Sequence, residues 1–346
     1  MKNKKIKKST IIYAAILIVM AFLAMAGILI YGFGMDNAFT QIFARIIPYP
    51  AAIVNSTHFI SVSELQNNLQ SVRKFYENQN FSEAGLRVDF STENGRKRLL
   101  IKKKDVLNKL IENKIIEILA NKRGISITKE MITQALDQEV AQYGDKNAMA
   151  DNLQKLYGWN IEDFKEKMVR PDLYKEALGK YVQENDPDMQ KAKAKISQAA
   201  DELKNRKDFS AVAEQYSEGD SAKNGGDLGW FGADQMLPQL SQAAFSLSKG
   251  QTSDIIESPL GYHIIIVDDK KSENGVDQVK IRQIFARSEN FSGWLSKQEK
   301  NFKIFIPLKD FYWNSESGGV EFRNPEMKKF EDNLDKNSTG DASVLF

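Results

Sequence analysis

Residues 11–33 contain no charge and no polar–apolar period, an uninterrupted apolar run near the start of the chain. At a helical rise of about 1.5 Å per residue, such a run is long enough to cross a hydrocarbon core of about 30 Å. After it the pattern becomes periodic. Ala51-Ala52-Ile53-Val54-Asn55 reads as a short strand, and Ser61 or Ser63 can cap a helix with Leu65, Leu69, Val72, Phe75 and Tyr76 on one face. Across 96–123, Leu100, Val106, Leu107, Leu110, Ile111, Ile115, Ile118 and Leu119 recur at three- and four-residue spacing, and Gly124 stops that helix. A helix over 128–143 turns Ile132, Ala135, Leu136 and Val140 inward, and a short one carries Met149, Leu153 and Leu156. Another opens near Asn160 with Phe164, Met168, Leu173 and Leu178, and Pro171 is expected to bend it. A helix over 189–204, an apolar strand over 262–267 and an alternating, half-buried strand over 279–287 follow. Beyond Asn314 the period is lost, so 314–346 is expected to be a disordered tail.

Charge gives the apolar run a direction. Residues 1–8 carry five lysines, and no charge follows the run until Asp36. That asymmetry predicts a single-pass anchor over 1–34, with the amino end in the cytoplasm, bilayer contact through residues 11–33 and the main body outside the cytoplasmic membrane. Tyr13 and Tyr31 stand near the ends of the run, where amphipathic rings are favoured. A cleaved signal peptide is the competing reading. Ala24-Met25-Ala26 has the small-x-small form, but Gly27-Ile28-Leu29-Ile30-Tyr31 prolongs the run past it.

The absence of cysteine rules out a lipoprotein and disulfide or thiol chemistry. A formal charge of +2 gives no reason to expect nucleic acid, and 346 residues leave room for two domains beyond the anchor. The basic cluster Arg96, Lys97, Arg98, Lys102, Lys103 and Lys104 reads as a solvated helix face. Asn337-Ser338-Thr339 fits a glycosylation acceptor pattern.

The most specific signal is an ordered series of short motifs. Asp208-Phe209-Ser210-Ala211-Val212-Ala213-Glu214-Gln215-Tyr216-Ser217 comes first, then Asn224-Gly225-Gly226-Asp227-Leu228-Gly229-Trp230-Phe231-Gly232. Asp234-Gln235-Met236, Ala243-Ala244-Phe245-Ser246-Leu247, Lys249-Gly250 and Gly261-Tyr262-His263-Ile264-Ile265 follow. Over roughly residues 190–270 this series resembles the parvulin-type (PpiC) peptidyl-prolyl cis-trans isomerases. Upstream, the strand and helix beginning at Ala51, with Ser56 where the family's Val-Asn-Gly strand has glycine, are similar to the amino-terminal domain of SurA/PrsA-like foldases. So is the helix start at Gly158-Trp159-Asn160-Ile161-Glu162-Asp163-Phe164. The resemblance implies an α+β chain: the membrane helix, a helical SurA-like chaperone domain over 35–185 and a parvulin domain over 186–313 with a small antiparallel sheet.

The same resemblance assigns a site. The reaction it implies is rotation about the peptide bond before proline, against a barrier of about 18–20 kcal/mol. An apolar slot and a few hydrogen bonds that favour the twisted amide suffice, so no metal or cofactor is called for. The slot is carried over to Leu228, Met236 and Leu240, with Phe245 beside them; Leu240 stands where the family commonly has phenylalanine. Without the resemblance, Met236 and Leu240 at i, i+4 are ordinary core positions. Ser258 matches a hydroxyl position. His263, by itself a core histidine, matches one of a buried pair that orders the site's hydrogen bonds. Gly219 or Asp220 occupies the loop position where parvulins carry Cys or Asp. Gly225, Gly226 and Gly229 allow tight turns around Asp227.

One element of the family is out of place. Its first strand, of the type Val-x-x-x-His-Ile-Leu, precedes the first helix, but here Glu184-Asn185-Asp186-Pro187-Asp188 stands there. Residues 279–287 look like that strand, across the turn-rich link Ser272-Glu273-Asn274-Gly275. The module would then be circularly permuted, with Gln283 replacing the first-strand histidine opposite His263; otherwise 279–287 is an extra edge strand. The implied function is a foldase that binds unfolded, proline-containing exported polypeptides and isomerises their prolyl bonds. The rival is a membrane-tethered holdase, catalytically weak, that binds unfolded chains through a parvulin fold.

Overall fold

A computed structural model of the chain describes residues 8–34, 38–78, 89–143, 145–273 and 276–336. The glycosylation pattern at 337–339, the turn residues 274–275 and the lysines before Lys8 lie outside the described residues. The chain divides into two compact units, one formed by residues 1–176 and 298–346, the other by 177–297.

In the first unit, α1 (Lys8–Ile28) passes into a π-helical turn, Leu29–Phe33, which ends at Gly34 with φ +65°. This corrects the expected membrane span. No helix among the described residues is long and apolar enough to cross a membrane. The carboxyl half of the apolar run packs within the unit instead: Ala26 and Ile30 are buried, Tyr49 Oη donates to the Leu23 carbonyl at 2.6 Å and Tyr31 Oη to the Pro50 carbonyl at 3.0 Å. A run of apolar letters cannot reveal that its helix changes register at residue 29.

α2 (Ala38–Ile46) leads to an antiparallel pair, β1 (Pro50–Val54) and β2 (His58–Ser61). Asn55 and Ser56 turn between them with φ +50° and +64°, so Ser56 adopts the left-handed backbone that favours glycine. Ser61 supplies the expected cap for α3 (Val62–Asn78), its Oγ accepting from Glu64 N at 3.0 Å. Thr92 caps α4 (Glu93–Asn121), whose Leu107, Ile111, Ile115 and Ile116 are buried at helical spacing. α5 (Lys129–Tyr143), α6 (Lys146–Leu156) and α7 (Ile161–Phe164) follow, the last behind a reciprocal cap between Asn160 and Asp163. A π turn, Lys165–Val169, joins α7 to α8 (Arg170–Asn185). It takes up the disturbance expected from Pro171, which has no N–H for the helical ladder.

The second unit begins at Ala177, within α8, and continues with α9 (Pro187–Lys204) and α10 (Phe209–Tyr216), capped by Asp186 and Asp208. β3 (Asp227–Gly232), α11 (Pro238–Ser246), β4 (Ile256–Ser258), β5 (Gly261–Glu273) and β6 (Val276–Arg287) complete it. The four strands are antiparallel in the order β3-β6-β5-β4. Residues 279–287 therefore lie in the sheet interior, with β5 on one side and β3 on the other, while 184–195 forms helix rather than strand. Successive side chains of β5 and β6 point to opposite faces, and each face has its own cluster. Tyr262, Ile264, Ile284 and Ala286 pack under Ile196 of α9 and Val212 of α10. Ile265, Val267, Val279 and Ile281 pack under Leu240 and Ala244 of α11.

The chain then returns to the first unit through α12 (Phe291–Glu299). β7 (Ile304–Phe305) adds to β1 with Ile53 opposite Phe305, giving a sheet ordered β2-β1-β7. β8 (Phe311–Asn314), β9 (Gly319–Phe322) and α13 (Pro325–Lys336) come last. This corrects the disordered-tail expectation for 314–336. Phe311, Val320 and Phe322 are buried, and Val320 N donates to Asn108 Oδ1 of α4 at 3.0 Å. The solvated reading of the basic cluster changes with it: Lys104 pairs with Glu331 and lies over the Phe322 ring, and Lys97 lies over the Phe330 ring.

Candidate active site

The face of the sheet beneath α11 carries the polar groups as well as an apolar cluster. At one end of it, His263 of β5 is 2% exposed. Ser258, at the end of β4, sets its Oγ 2.7 Å from His263 Nε2 and accepts from Leu260 N at 3.1 Å. Which of the two donates follows the imidazole tautomer, since a hydroxyl can both donate one proton and accept two. Nδ1 is buried, and among the described residues no hydrogen bond reaches it. Burial lowers the His263 pKa from the ordinary 6.5, while the Gln283 amide acts in the opposite sense. The ring is thus neutral at physiological pH, a hydrogen-bonding group rather than a charge.

The register places Phe285, not Gln283, directly opposite His263; Gln283 faces Ile265, one step along on the same side. The expected cross-strand pairing of Gln283 with His263 is corrected to a diagonal one. The bulge between Val267 and Asp269 shifts the later pairs, so register was not readable from local sequence. Phe285 stacks on the imidazole with centroids 4.7 Å apart and planes 25° from parallel.

The slot residues divide. Leu240 is buried and Met236 and Phe245 are half-buried in the cluster with Ile265, Val267, Val279 and Ile281. Leu228 sits at the irregularity between Asp227 and Gly229 of β3, exposed and outside that cluster. In the loop after α10, Gly219 is half-buried against Phe285, and Asp220 is exposed. Ser217, which the motifs marked only as the end of a helix, accepts from Phe285 N at 3.0 Å. Phe285 was also missed. The period of two in 279–287 puts Phe285 on the side of Gln283, a signal that was available. Gly226 is a site where only glycine fits: its φ is +82°, and a Cβ there would collide with the backbone carbonyl of Gln283. Among the described residues no group of three or more His, Cys, Asp or Glu side chains is placed to hold a metal.

The second unit sets a buried histidine, bonded to a serine hydroxyl, beside an apolar cluster on an antiparallel sheet, and comparison with known proteins identifies the module. Residues 178–269 match the PPIC-type PPIASE domain, and residues 1–156 match the SurA-like N-terminal domain. The chain is 28% identical over 244 residues to foldase protein PrsA of Geobacillus kaustophilus, covering 65% of this chain and 79% of that protein. To foldase protein PrsA 3 of Bacillus anthracis it is 30% identical over 198 residues, 49% of this chain and 70% of that protein. To chaperone SurA of Hydrogenovibrio crunogenus it is 39% identical over 107 residues, 30% of this chain and 24% of that protein. The chain belongs to the PrsA foldase family, and it is a parvulin-type peptidyl-prolyl cis-trans isomerase and foldase.

The depressed His263 pKa has a signed consequence. Below 6.5 the unfolded chain takes up a proton that the folded chain resists, so this group's contribution is intact above 6.5 and is lost as pH falls toward the folded value. Urea midpoints of the wild type and His263→Gln should therefore differ by a constant amount above pH 7, with the wild type losing ground as pH drops below 6.5. Glu299, pushed up to about 7 by burial and then by Glu112, slopes the other way in both proteins and cancels in the difference. A difference that stays flat from pH 7.5 to 5 would contradict a His263 held neutral by burial.

Proposed function

We propose that isomerisation takes place on the face shared by His263, Ser258, Gln283, Met236, Leu240 and Phe245, and that the clients are unfolded polypeptides exported across the cytoplasmic membrane. The observation that carries the first part is that the polar and apolar groups lie on one side of one sheet. A planar amide is more polar than a twisted one, because resonance places charge on its oxygen and nitrogen. Holding the prolyl ring against Met236, Leu240 and Phe245 withdraws it from water, with Leu228 at the rim, and raises the planar state relative to the twisted one. The neutral His263 and the amide of Gln283 then orient hydrogen bonds around the carbonyl. Gly219 and Asp220 close the loop side, and neither needs to act as a nucleophile, because no covalent bond is broken.

The helical unit is assigned to client binding. In support, α3, α4, the π turn and the start of α8 line a cleft of about 500 Å3 with Asn67, Asn68, Asn113, Lys114 and Arg170. Side-chain amides match the donors and acceptors of an unfolded backbone. With the full chain, His263→Ala should lower kcat/KM for a proline-containing peptide by about tenfold or more and leave suppression of client aggregation unchanged. Full isomerase activity in that variant would remove His263 from the site, and joint loss of both activities would undo the division of labour.

An extracytoplasmic place of work is supported by the lysines before the apolar run. The exposed Leu17, Ile18, Val19, Met20 and Phe22 of α1 support attachment of that end to a lipid surface. Protease added outside intact spheroplasts should digest residues 35–346; protection of that portion would place the protein inside.

A further inference from the structure

Phe285 belongs to neither apolar cluster of the second unit, although it is buried among strands that supply both. Its neighbours are of another kind. The ring lies on His263, 4.7 Å between centroids, on the face that carries the site. The peptide groups on either side of it hold the loop after α10. Phe285 N donates to Ser217 Oγ at 3.0 Å, and the Phe285 carbonyl accepts from Glu218 N at 2.7 Å. Two residues on, Arg287 N donates to the Glu218 carboxylate at 2.8 Å, and that carboxylate also accepts from Lys195 Nζ at 2.7 Å. A Cβ at Gly219 would stand 3.8 Å from the Phe285 Cβ, in ordinary van der Waals contact.

One residue is thus fastened to both halves of the site. Its side chain limits where the imidazole can lie, and its backbone limits where residues 217–219 can lie. Ser258 fixes only Nε2, which leaves the ring free to rotate about the axis through that nitrogen unless a second surface stops it. The stacked ring is such a surface, lying along the imidazole at 4.7 Å between centroids. A packing role alone would call for contacts with the aliphatic side chains beneath α11, and those are made by Val279 and Ile281 on the same strand face.

We infer that Phe285 is a positioning residue for prolyl isomerisation: it sets the plane of the His263 imidazole and carries the loop Ser217–Gly219 at a fixed distance from it. The inference rests on His263 belonging to the isomerase site. Displacements of about 1 Å at a reacting centre can cost up to about a hundredfold in rate, so a residue that fixes two elements at once has a large effect on kcat.

The test uses the full chain with Phe285→Leu, which keeps the backbone bonds and removes the aromatic face, and Phe285→Tyr, which keeps the face. The chain has two histidines, so imidazole NMR resolves His263 against His58 as an internal reference. Phe285→Leu should lose about tenfold in kcat with KM little changed, and its His263 titration should move up toward 6.5, while Phe285→Tyr stays close to wild type in both. Unchanged kcat in Phe285→Leu, or a fall in kcat with an unmoved His263 titration, would overturn the inference. Where Phe285→Leu fails to fold, Phe285→Met replaces it with the same expectations. His263→Ala separates the two claims: if it retains activity the site assignment fails, and if it loses activity while Phe285→Leu does not, only the role of Phe285 fails.

Discussion

The pairing of β6 with β3 on one side and β5 on the other is the constraint on which the isomerase module depends. Among the described residues no other strand joins β3 to the rest of the sheet, and the residues of β6 serve both faces. Val279 and Ile281 close the cluster under α11, whereas Ile284 and Ala286 close the one under α9 and α10. Each large side chain so buried contributes roughly 1.5–3 kcal/mol, so the strand is a major part of the module's stability. Arg282 adds a directional tie. It makes a two-pronged ion pair with Asp268, with Nη2 to Oδ1 at 2.7 Å, donates to Ser210 at 2.9 Å and lies over Phe209. The same strand carries Gln283 and Phe285, so in the proposed site what stabilises the sheet also positions the groups around His263.

A burial-neutralised histidine suits this reaction. Rotation about a prolyl bond transfers no proton to or from solvent, and a charged imidazole would need a counter-ion that would bring polarity and water into the slot. Ser258 and Gln283 instead give His263 neutral neighbours. The foldase character extends this logic to the whole chain, because a slow isomerisation step matters only while the client is kept unfolded and accessible.

Much of this was legible in the sequence, for physical reasons that differ from residue to residue. The alternation of 279–287 is legible because Val279 and Ile281 are buried on one face while Lys280 and Arg282 lie on the other; it fades at Ile284, Phe285 and Ala286, which are buried on both faces. The bounds of α5 follow from Thr128 and the apolar spacing after it. His263 and Ser258 were found through motif resemblance, and the hydrogen bond between them is local, five residues apart. What was not legible depends on distant pairing. Phe285 faces His263 because of register; the two-residue β7 is placed by its pairing with β1; the β8–β9 hairpin is tied to α4 through Asn108; the lysines of α4 are covered by α13, more than two hundred residues away. The apolar run misled for the opposite reason: its composition is unambiguous, but composition does not report the π turn or the tyrosine hydrogen bonds, Tyr49 to Leu23 and Tyr31 to Pro50, that tie it to the chain around Tyr49.

The central claim is that residues 279–287 form an interior strand of the isomerase sheet. Amide hydrogen exchange on the full chain tests it directly. Backbone N–H groups of an interior strand are bonded on both sides, and Gln283 N already donates to the Gly226 carbonyl at 2.8 Å. The amides of 279–286 should exchange as slowly as those of 262–267, both far slower than the edge strand at 256–258. Exchange of 279–286 at the rate of that edge would contradict the account.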